Sequence, residues 1–102
     1  MTPEHKFQNK FIKALKKLPN TWYVKVSQKS ISGTPDILAC IDGWFVAVEL
    51  KSSAKSKVSK LQEYELKKIT DAKGIGFICW PENFDYVMNQ LEVISGSSNG
   101  GG

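Results

Sequence analysis

Arginine is absent from this chain of 102 residues, and all 14 of its basic residues are lysines. The planar guanidinium group that reads guanine edges through two hydrogen bonds is therefore missing. The net charge of +4 permits an anionic partner but does not establish one. If the protein binds nucleic acid, we expect lysine contacts to phosphates to dominate and sequence specificity to be weak.

Long apolar runs are also absent, so we expect no membrane-spanning segment and no membrane partner. The amino-terminal residues lack the apolar stretch of a secretory signal, and an intracellular location is the default expectation. One histidine, His5, and two cysteines, Cys40 and Cys79, do not form a zinc-ligand spacing. Both cysteines lie in apolar runs, which favours two reduced, buried thiols over a disulfide.

The length of the chain suits one domain with a single core. The hydrophobic fraction of 41% favours a folded protein over a disordered one. We expect this domain to cover residues 1–94. Residues 95–102, which are rich in glycine and serine, are expected to form a flexible tail.

Hydrophobic periodicity and turn residues predict an α/β fold with the order helix, three strands, helix, strand. Asp42-Gly43 is a strong signal for a hairpin between the second and third strands. The later strand–helix–strand order implies a right-handed parallel crossover, so the sheet is mixed. The predicted elements are helices over residues 4–18, 60–72 and 82–90, strands over 21–27, 35–41, 44–51 and 74–80, and a terminal edge strand over 92–94.

Two carboxylates and a lysine are predicted to meet at the ends of the hairpin strands. A two-residue turn at Asp42-Gly43 pairs residues whose numbers add up to about 85, which places Asp36 opposite Glu49. Side chains alternate along a strand, so Lys51 shares a face with Glu49. Carboxylates this close repel each other unless a cation lies between them, and oxygen ligands select Mg²⁺ or Mn²⁺. The backbone carbonyl of Leu50 is a candidate for a further ligand.

Taken singly, these residues also fit a simpler interpretation, with a surface pair of Glu49 and Lys51 and with Asp36 in a turn. The strand over residues 44–50 is apolar on both faces, however, which is typical of the middle of a sheet. Charges at the end of such a strand need pairing or a metal. The combination therefore favours a site.

The order of these motifs resembles a known nuclease superfamily. Pro35-Asp36 followed by Glu49-x-Lys51 is similar to the PD-(D/E)XK signature. Gly33, the Asp42-Gly43 hairpin and the glutamine at 62 resemble the VRR-NUC branch, including its stand-alone phage versions. That branch is similar to archaeal-type Holliday-junction resolvases. The resemblance extends from residue 4 to about residue 80 and implies a restriction-endonuclease-like mixed sheet of about four strands flanked by helices.

The resemblance implies roles for five side chains. Asp36 and Glu49 would bind the metal and Lys51 would be the catalytic lysine. Gln62 matches a glutamine that lies close to the active site in the family, although it also fits a solvated helix position. Glu4 matches a first-helix glutamate that completes the metal shell, and it fits equally well as an acid that complements the helix dipole.

Four lysines are candidates for contacts with a nucleic-acid backbone. Residues 30–32, just before Gly33, lie where relatives often carry arginine, so Lys29 is the candidate in their place, and the others follow the Glu49-x-Lys51 motif. For each of the latter, a solvated loop position is the simpler interpretation. The candidates are Lys29, Lys55, Lys57 and Lys60.

The function implied by the resemblance is metal-dependent endonucleolytic cleavage of DNA, selective for junctions or flaps rather than for sequence. Mg²⁺ is the implied cofactor, with Mn²⁺ as a substitute, and the implied partners are DNA and a second copy of the chain. Resemblance to the phage versions implies a phage-encoded protein in a bacterial host. Two alternatives remain open, namely a non-catalytic nucleic-acid-binding module and an interaction protein on the same fold.

Overall fold

A computed structural model describes residues 1–96 of the protein. Three α-helices and a 4-stranded sheet make up this part of the chain. None of the helices within residues 1–96 has the length and hydropathy needed to cross a bilayer. In chain order the elements are α1 (Pro3–Leu15), β1 (Thr21–Lys25), β2 (Ile37–Ile41), β3 (Trp44–Leu50), α2 (Lys60–Asp71), β4 (Ile75–Cys79), a short 3₁₀ helix (Pro81–Asn83) and α3 (Phe84–Ser95).

The strands lie side by side in the order β1-β2-β3-β4. Two antiparallel pairings join β1 to β2 and β2 to β3, and a parallel pairing joins β3 to β4. The long connection through α2 makes the parallel pairing possible, because parallel neighbours need a crossover. The predicted α/β architecture with a mixed sheet is thus confirmed, and β3 occupies an inner position.

Helices α1 and α3 cover one face of the sheet and form the main hydrophobic core with it. Apolar residues recur at helical spacing on both helices, and alternate residues of the strands point toward them. The buried side chains of this core include Phe11, Leu15, Ile37, Ile41, Val46, Val48, Val87 and Leu91. The ring of Phe84 packs edge-on against Phe7 and Phe11, which ties the start of α3 to α1.

Helix α2 covers only part of the opposite face. It packs closely on β4, where a Cβ added at Gly76 would lie 3.1 Å from the side chain of Leu66. Glycine allows this close approach of helix and strand. The β1 and β2 side of the same face has no helix over it within residues 1–96. Five uncharged side chains line this open sheet face, namely Trp22, Val24, Leu38, Cys40 and Phe45.

Capping side chains fix the starts of α1 and α2. The hydroxyl of Thr2 accepts a hydrogen bond from the backbone N–H of His5 at 3.1 Å, and Pro3 occupies the first helical turn. At the start of α2 the hydroxyl of Ser59 accepts from the N–H of Gln62, and the Gln62 side chain accepts from the N–H of Ser59. This reciprocal capping box fixes the position of Gln62.

The carboxyl-terminal end differs from the sequence prediction. The predicted edge strand over residues 92–94 is wrong, because these residues belong to α3. Val87, Met88, Leu91 and Ser95 are buried at helical spacing, which extends the helix past residue 90. Ser95, expected as the first tail residue, ends α3, and Gly96 caps it with a φ of +80°. The remaining predicted tail residues, 97–102, lie outside the described residues.

The two cysteines lie in different environments. Both are free thiols, as predicted, but only Cys79 is buried, and burial raises the pKa of the Cys79 thiol to about 12. Cys40 is exposed, which corrects the expectation of two buried thiols. It lies on the open sheet face, which none of the helices in the described part of the chain covers.

Candidate active site

The hairpin of β2 and β3 brings Asp36 and Glu49 together. The pairing of Ile37 with Val48 follows the predicted register, in which partner numbers add up to 85. Asp36 comes one residue before β2, and Glu49 comes one residue after Val48. The two carboxylates therefore lie at the same end of neighbouring strands, at the edge of the open sheet face.

Both carboxylate oxygens of Asp36 have partners. Its Oδ2 accepts a hydrogen bond from the backbone N–H of Leu50 at 2.8 Å. Its Oδ1 forms an ion pair with the Lys29 ammonium, also at 2.8 Å. The first contact fixes the carboxylate to β3, because a backbone N–H in a strand has little freedom to move. The second contact involves a long, partly exposed side chain from a loop.

Glu49 is buried and only partly satisfied. Its side chain is 4% exposed, and its Oε2 lies 2.6 Å from the amide nitrogen of Gln62 and 3.5 Å from the ammonium of Lys51. Its Oε1 is buried and has no hydrogen-bond partner. Burial, and then the negative charge of Asp36, raise the pKa of Glu49 above its ordinary value of 4.5, although Lys29 and Lys51 oppose this shift.

Gln62 connects Glu49 with Lys51, the residue that follows β3. Its Oε1 accepts from the Lys51 ammonium at 2.9 Å and from the N–H of Ser59 at 2.9 Å, and its Nε2 donates to Glu49. The orientation of the amide is fixed, because Lys51 and Ser59 present only donors to it. The capping box that starts α2 therefore also orients the glutamine toward the carboxylate.

Lys51 follows directly after β3 and lies beside Glu49, as the alternation of side chains predicts. Its backbone N–H donates to the carbonyl of Cys79 at 2.9 Å, which holds the residue against β4. Its side chain is only 14% exposed. The ammonium is thus held between Glu49 and Gln62, with part of its surface open to solvent.

The loop between β1 and β2 packs against the start of α2. Gly33 has a φ of +87°, and a Cβ at this position would collide with the backbone carbonyl of Leu61. The N–H of Val26 donates to the carbonyl of Asp36 at 2.8 Å, which closes the loop at its base. This packing brings the loop of Lys29 and the helix of Gln62 to the same site.

The structure places the other candidate residues at the surface. Glu4 lies in the first turn of α1 and is exposed. Lys55 and Lys57 are exposed in the segment between β3 and α2, and Lys60 begins α2. Among residues 1–96, no three His, Cys, Asp or Glu side chains form a group that could hold a metal ion. Glu4 as a ligand and the three lysines as DNA contacts stay predictions.

Sequence reasoning missed the ion pair of Lys29 with Asp36. Lys29 is predicted above only as a contact to the DNA backbone, because nothing in the sequence fixes how the loop folds back. The spacing of Ser59 and Gln62, typical of a capping box, was a usable signal that the glutamine has a fixed position.

A search of solved structures finds a similar protein. A structure described as "VRR_NUC domain" matches with a TM-score of 0.74 and 22% sequence identity, covering 86% of this chain and 96% of that chain. The chain has the VRR_NUC fold. A scan against family models and a search of curated proteins found no match. The VRR_NUC fold agrees with the restriction-endonuclease-like architecture predicted from the motifs.

Proposed function

We propose that the protein is a metal-dependent endonuclease that hydrolyses phosphodiester bonds of DNA. One observation carries this proposal: Glu49 is buried beside Asp36 and leaves one carboxylate oxygen without a partner. A buried carboxylate oxygen without a hydrogen bond is costly, and a cation is a natural partner for it. The similarity to a VRR_NUC domain, whose name refers to a nuclease, supports the same activity.

The donor set fits Mg²⁺. This ion keeps several waters and is usually held by one or two carboxylates together with substrate phosphates. Asp36 and Glu49 would supply the carboxylates, and the Leu50 carbonyl is proposed as a further ligand. Glu4 could join from α1. Mn²⁺ should substitute, because it also prefers oxygen ligands.

The residues around the two carboxylates suit hydrolysis of a phosphodiester. A bound Mg²⁺ would polarise the scissile phosphate and lower the pKa of a water molecule. Lys51 lies within 3.5 Å of Glu49 and would stabilise negative charge that develops on the phosphate. Gln62 holds both Lys51 and Glu49 in place, so it would act as a positioning residue. The proposed roles therefore divide between binding, charge stabilisation and orientation.

DNA is the proposed substrate, and selectivity is proposed to depend on its structure, such as a junction or flap. Lysines supply every basic side chain, so contacts should be made mainly to phosphates and carry little sequence information. The proposed phosphate contacts are Lys29, Lys55, Lys57 and Lys60. Because such contacts release counterions, binding should weaken steeply as salt is raised.

A homodimer through the open sheet face is part of the proposal. The five side chains of this face carry no charge, so two copies with a net charge of +4 would meet there with little repulsion. A twofold interface must be self-complementary, which an uncharged apolar face satisfies. Phe45 lies four residues from Glu49 along β3, about 13 Å away. Leu38 lies two residues from Asp36, about 7 Å along the chain, so the interface would end beside the carboxylates, and a dimer would present two sites to two strands.

Cleavage assays test the proposed activity. Supercoiled, flapped and four-way-junction DNA would be incubated with the protein in Mg²⁺, Mn²⁺ or EDTA. We expect cleavage in either metal, none in EDTA, and a loss of at least about 100-fold in Asp36→Asn and in Lys51→Ala. Asp71→Asn is a matched control, because it removes an exposed acid of α2 that pairs with Lys67.

The alternatives predict different results. A non-catalytic module would bind DNA and cleave none of the substrates in any metal. An interaction protein would neither bind nor cleave DNA. Cleavage that persists in Asp36→Asn, or equal loss in Asp71→Asn, would contradict the assignment of the site.

A further inference from the structure

Lys29 holds the carboxylate oxygen of Asp36 that is not the one bound to the backbone of β3. The other oxygen is bound to the backbone N–H of Leu50, so Oδ1 is the one whose partner can leave without disturbing the sheet. The ammonium of Lys29 lies 2.8 Å from Oδ1, within the distance range of a strong charge-assisted hydrogen bond. A divalent cation bound to the same oxygen would lie close to this ammonium, and the two positive charges would repel each other.

The loop that carries Lys29 is held at two points, whereas the Lys29 side chain is held only by its ion pair with Asp36 among the contacts described above. The Val26 to Asp36 hydrogen bond closes the loop, and Gly33 packs against the start of α2. Lys29 lies between these two points, and its side chain is 28% exposed. A rotation of the side chain alone would release Asp36 and keep the ammonium within reach of a phosphate bound at the same site.

We propose that Lys29 occupies the cation position at Asp36 in the metal-free protein, and that metal binding transfers its ammonium to the DNA backbone. This inference rests on the proposed function, because it concerns the same metal and substrate. Lys29 thereby competes with the metal in the absence of DNA and cooperates with it in the presence of DNA. It is a positioning residue whose two partners are Asp36 and a substrate phosphate.

Mn²⁺ binding to the protein without DNA tests the first half of the inference. Calorimetry would compare wild type with Lys29→Ala and Lys67→Ala. We expect Lys29→Ala to bind Mn²⁺ on the order of tenfold more tightly, the scale of a typical coupling between two ligands. Lys67→Ala is the matched control, because it removes the same charge from another Lys–Asp pair, with a distance of 2.7 Å, on α2.

Binding of DNA tests the second half. Fluorescence anisotropy would measure the affinity for a junction DNA with and without Mn²⁺, in a Lys51→Ala background that prevents cleavage. We expect Mn²⁺ to raise the affinity more in the Lys51→Ala protein than in the Lys29→Ala, Lys51→Ala double variant. The effect is reciprocal by thermodynamic linkage. If Mn²⁺ raises the affinity for DNA by freeing Lys29 for the phosphate, DNA must raise the affinity for Mn²⁺ by the same factor.

The outcomes separate this inference from the proposed function. If Lys29→Ala and wild type bind Mn²⁺ equally while wild type still cleaves DNA through Asp36, the inference is overturned and the function stands. If Lys67→Ala also binds Mn²⁺ more tightly than wild type, the loss of one positive charge alone explains the effect, and the inference is again overturned. If no variant binds Mn²⁺ and no DNA is cleaved, both fail.

Discussion

Glu49 is the residue in which the demands of folding and of the proposed chemistry conflict most. It lies at the end of an inner strand, its side chain is 4% exposed, and one of its oxygens has no partner. Gln62 and Lys51 compensate only the other oxygen. Such a carboxylate destabilises the fold unless it is protonated or bound to a cation, which is a common feature of functional sites.

The raised pKa of Glu49 predicts how stability depends on pH. The folded protein holds the Glu49 proton more tightly than the unfolded chain, whose value is near 4.5. The contribution of this residue to stability is therefore fully present below about pH 4.5 and is lost as pH rises through the raised pKa. Glu49→Gln does not titrate there, so its free energy of unfolding relative to that of wild type should increase over that range.

Urea unfolding in EDTA at a series of pH values measures this difference. Adding Mg²⁺ near neutral pH should then stabilise wild type and leave Glu49→Gln nearly unchanged, because a ligand that binds only the folded state raises its stability. A stability difference that stays constant across the pH series would contradict the predicted role of burial.

At the scale of elements, the site depends on the contact of the β1–β2 loop with the start of α2. This contact joins the loop that carries Lys29 to the helix that carries Gln62. It is possible only because Gly33 has no side chain, since a Cβ would collide with the Leu61 carbonyl. The helix start is fixed independently by the capping box of Ser59 and Gln62.

Two glycines with the same backbone angle allow the contact to be tested. Gly33 and Gly43 both have a φ of +87°, but only Gly33 is in contact with another element, and a Cβ at Gly43 would meet no atom within 4 Å. Gly43→Ala should cost about 1 kcal/mol, the strain of a left-handed backbone. Gly33→Ala should cost at least about 2 kcal/mol, because it adds a clash with Leu61.

Thermal unfolding of the two variants gives the comparison, and cleavage gives a second readout. We expect Gly33→Ala to lower cleavage, since it displaces α2 and with it Gln62, and Gly43→Ala to retain it. Equal destabilisation by the two substitutions would show that the loop contact contributes nothing.

Local signals in the sequence were sufficient for the hairpin and for the core of the site. The Asp42-Gly43 turn determined the register of β2 and β3, and strand alternation then placed Lys51 beside Glu49. These inferences succeed because turn geometry and the period of two act over a few residues. The fold class followed from the order of strands and helices, which limits the possible topologies.

The failures concern contacts between distant parts of the chain. The edge strand predicted over residues 92–94 was wrong, because Leu91 and Ser95 are buried against other elements, and packing overrode a short β-like pattern. The ion pair of Lys29 depends on how a polar loop folds back. Cys40 was predicted to be buried, but which half of a sheet face a helix covers is not encoded in the strand itself.

At the scale of the whole molecule, the open sheet face is a surface that no helix within residues 1–96 covers. Trp22 is 64% exposed and lies on β1, an edge strand of the sheet. Exposed edge strands and contiguous apolar faces favour association. The proposed homodimer would bury this face and leave the lysines around the carboxylates free for DNA.

Substitution of Trp22 tests the homodimer. Light scattering over a dilution series should show wild type as a dimer that dissociates at low concentration, and Trp22→Glu should be a monomer throughout, because an interface aromatic is replaced by a charge that meets its own copy. Tyr86→Glu is the matched control, since Tyr86 is 61% exposed but lies on α3, over the other face of the sheet. We expect it to remain dimeric.

A wild type that is monomeric at every concentration, or a dimer lost in Tyr86→Glu and kept in Trp22→Glu, would contradict the assignment of this face. A monomeric Trp22→Glu would then be assayed on a four-way junction. If it still nicks one strand but no longer makes paired cuts, the dimer is needed for the proposed selectivity.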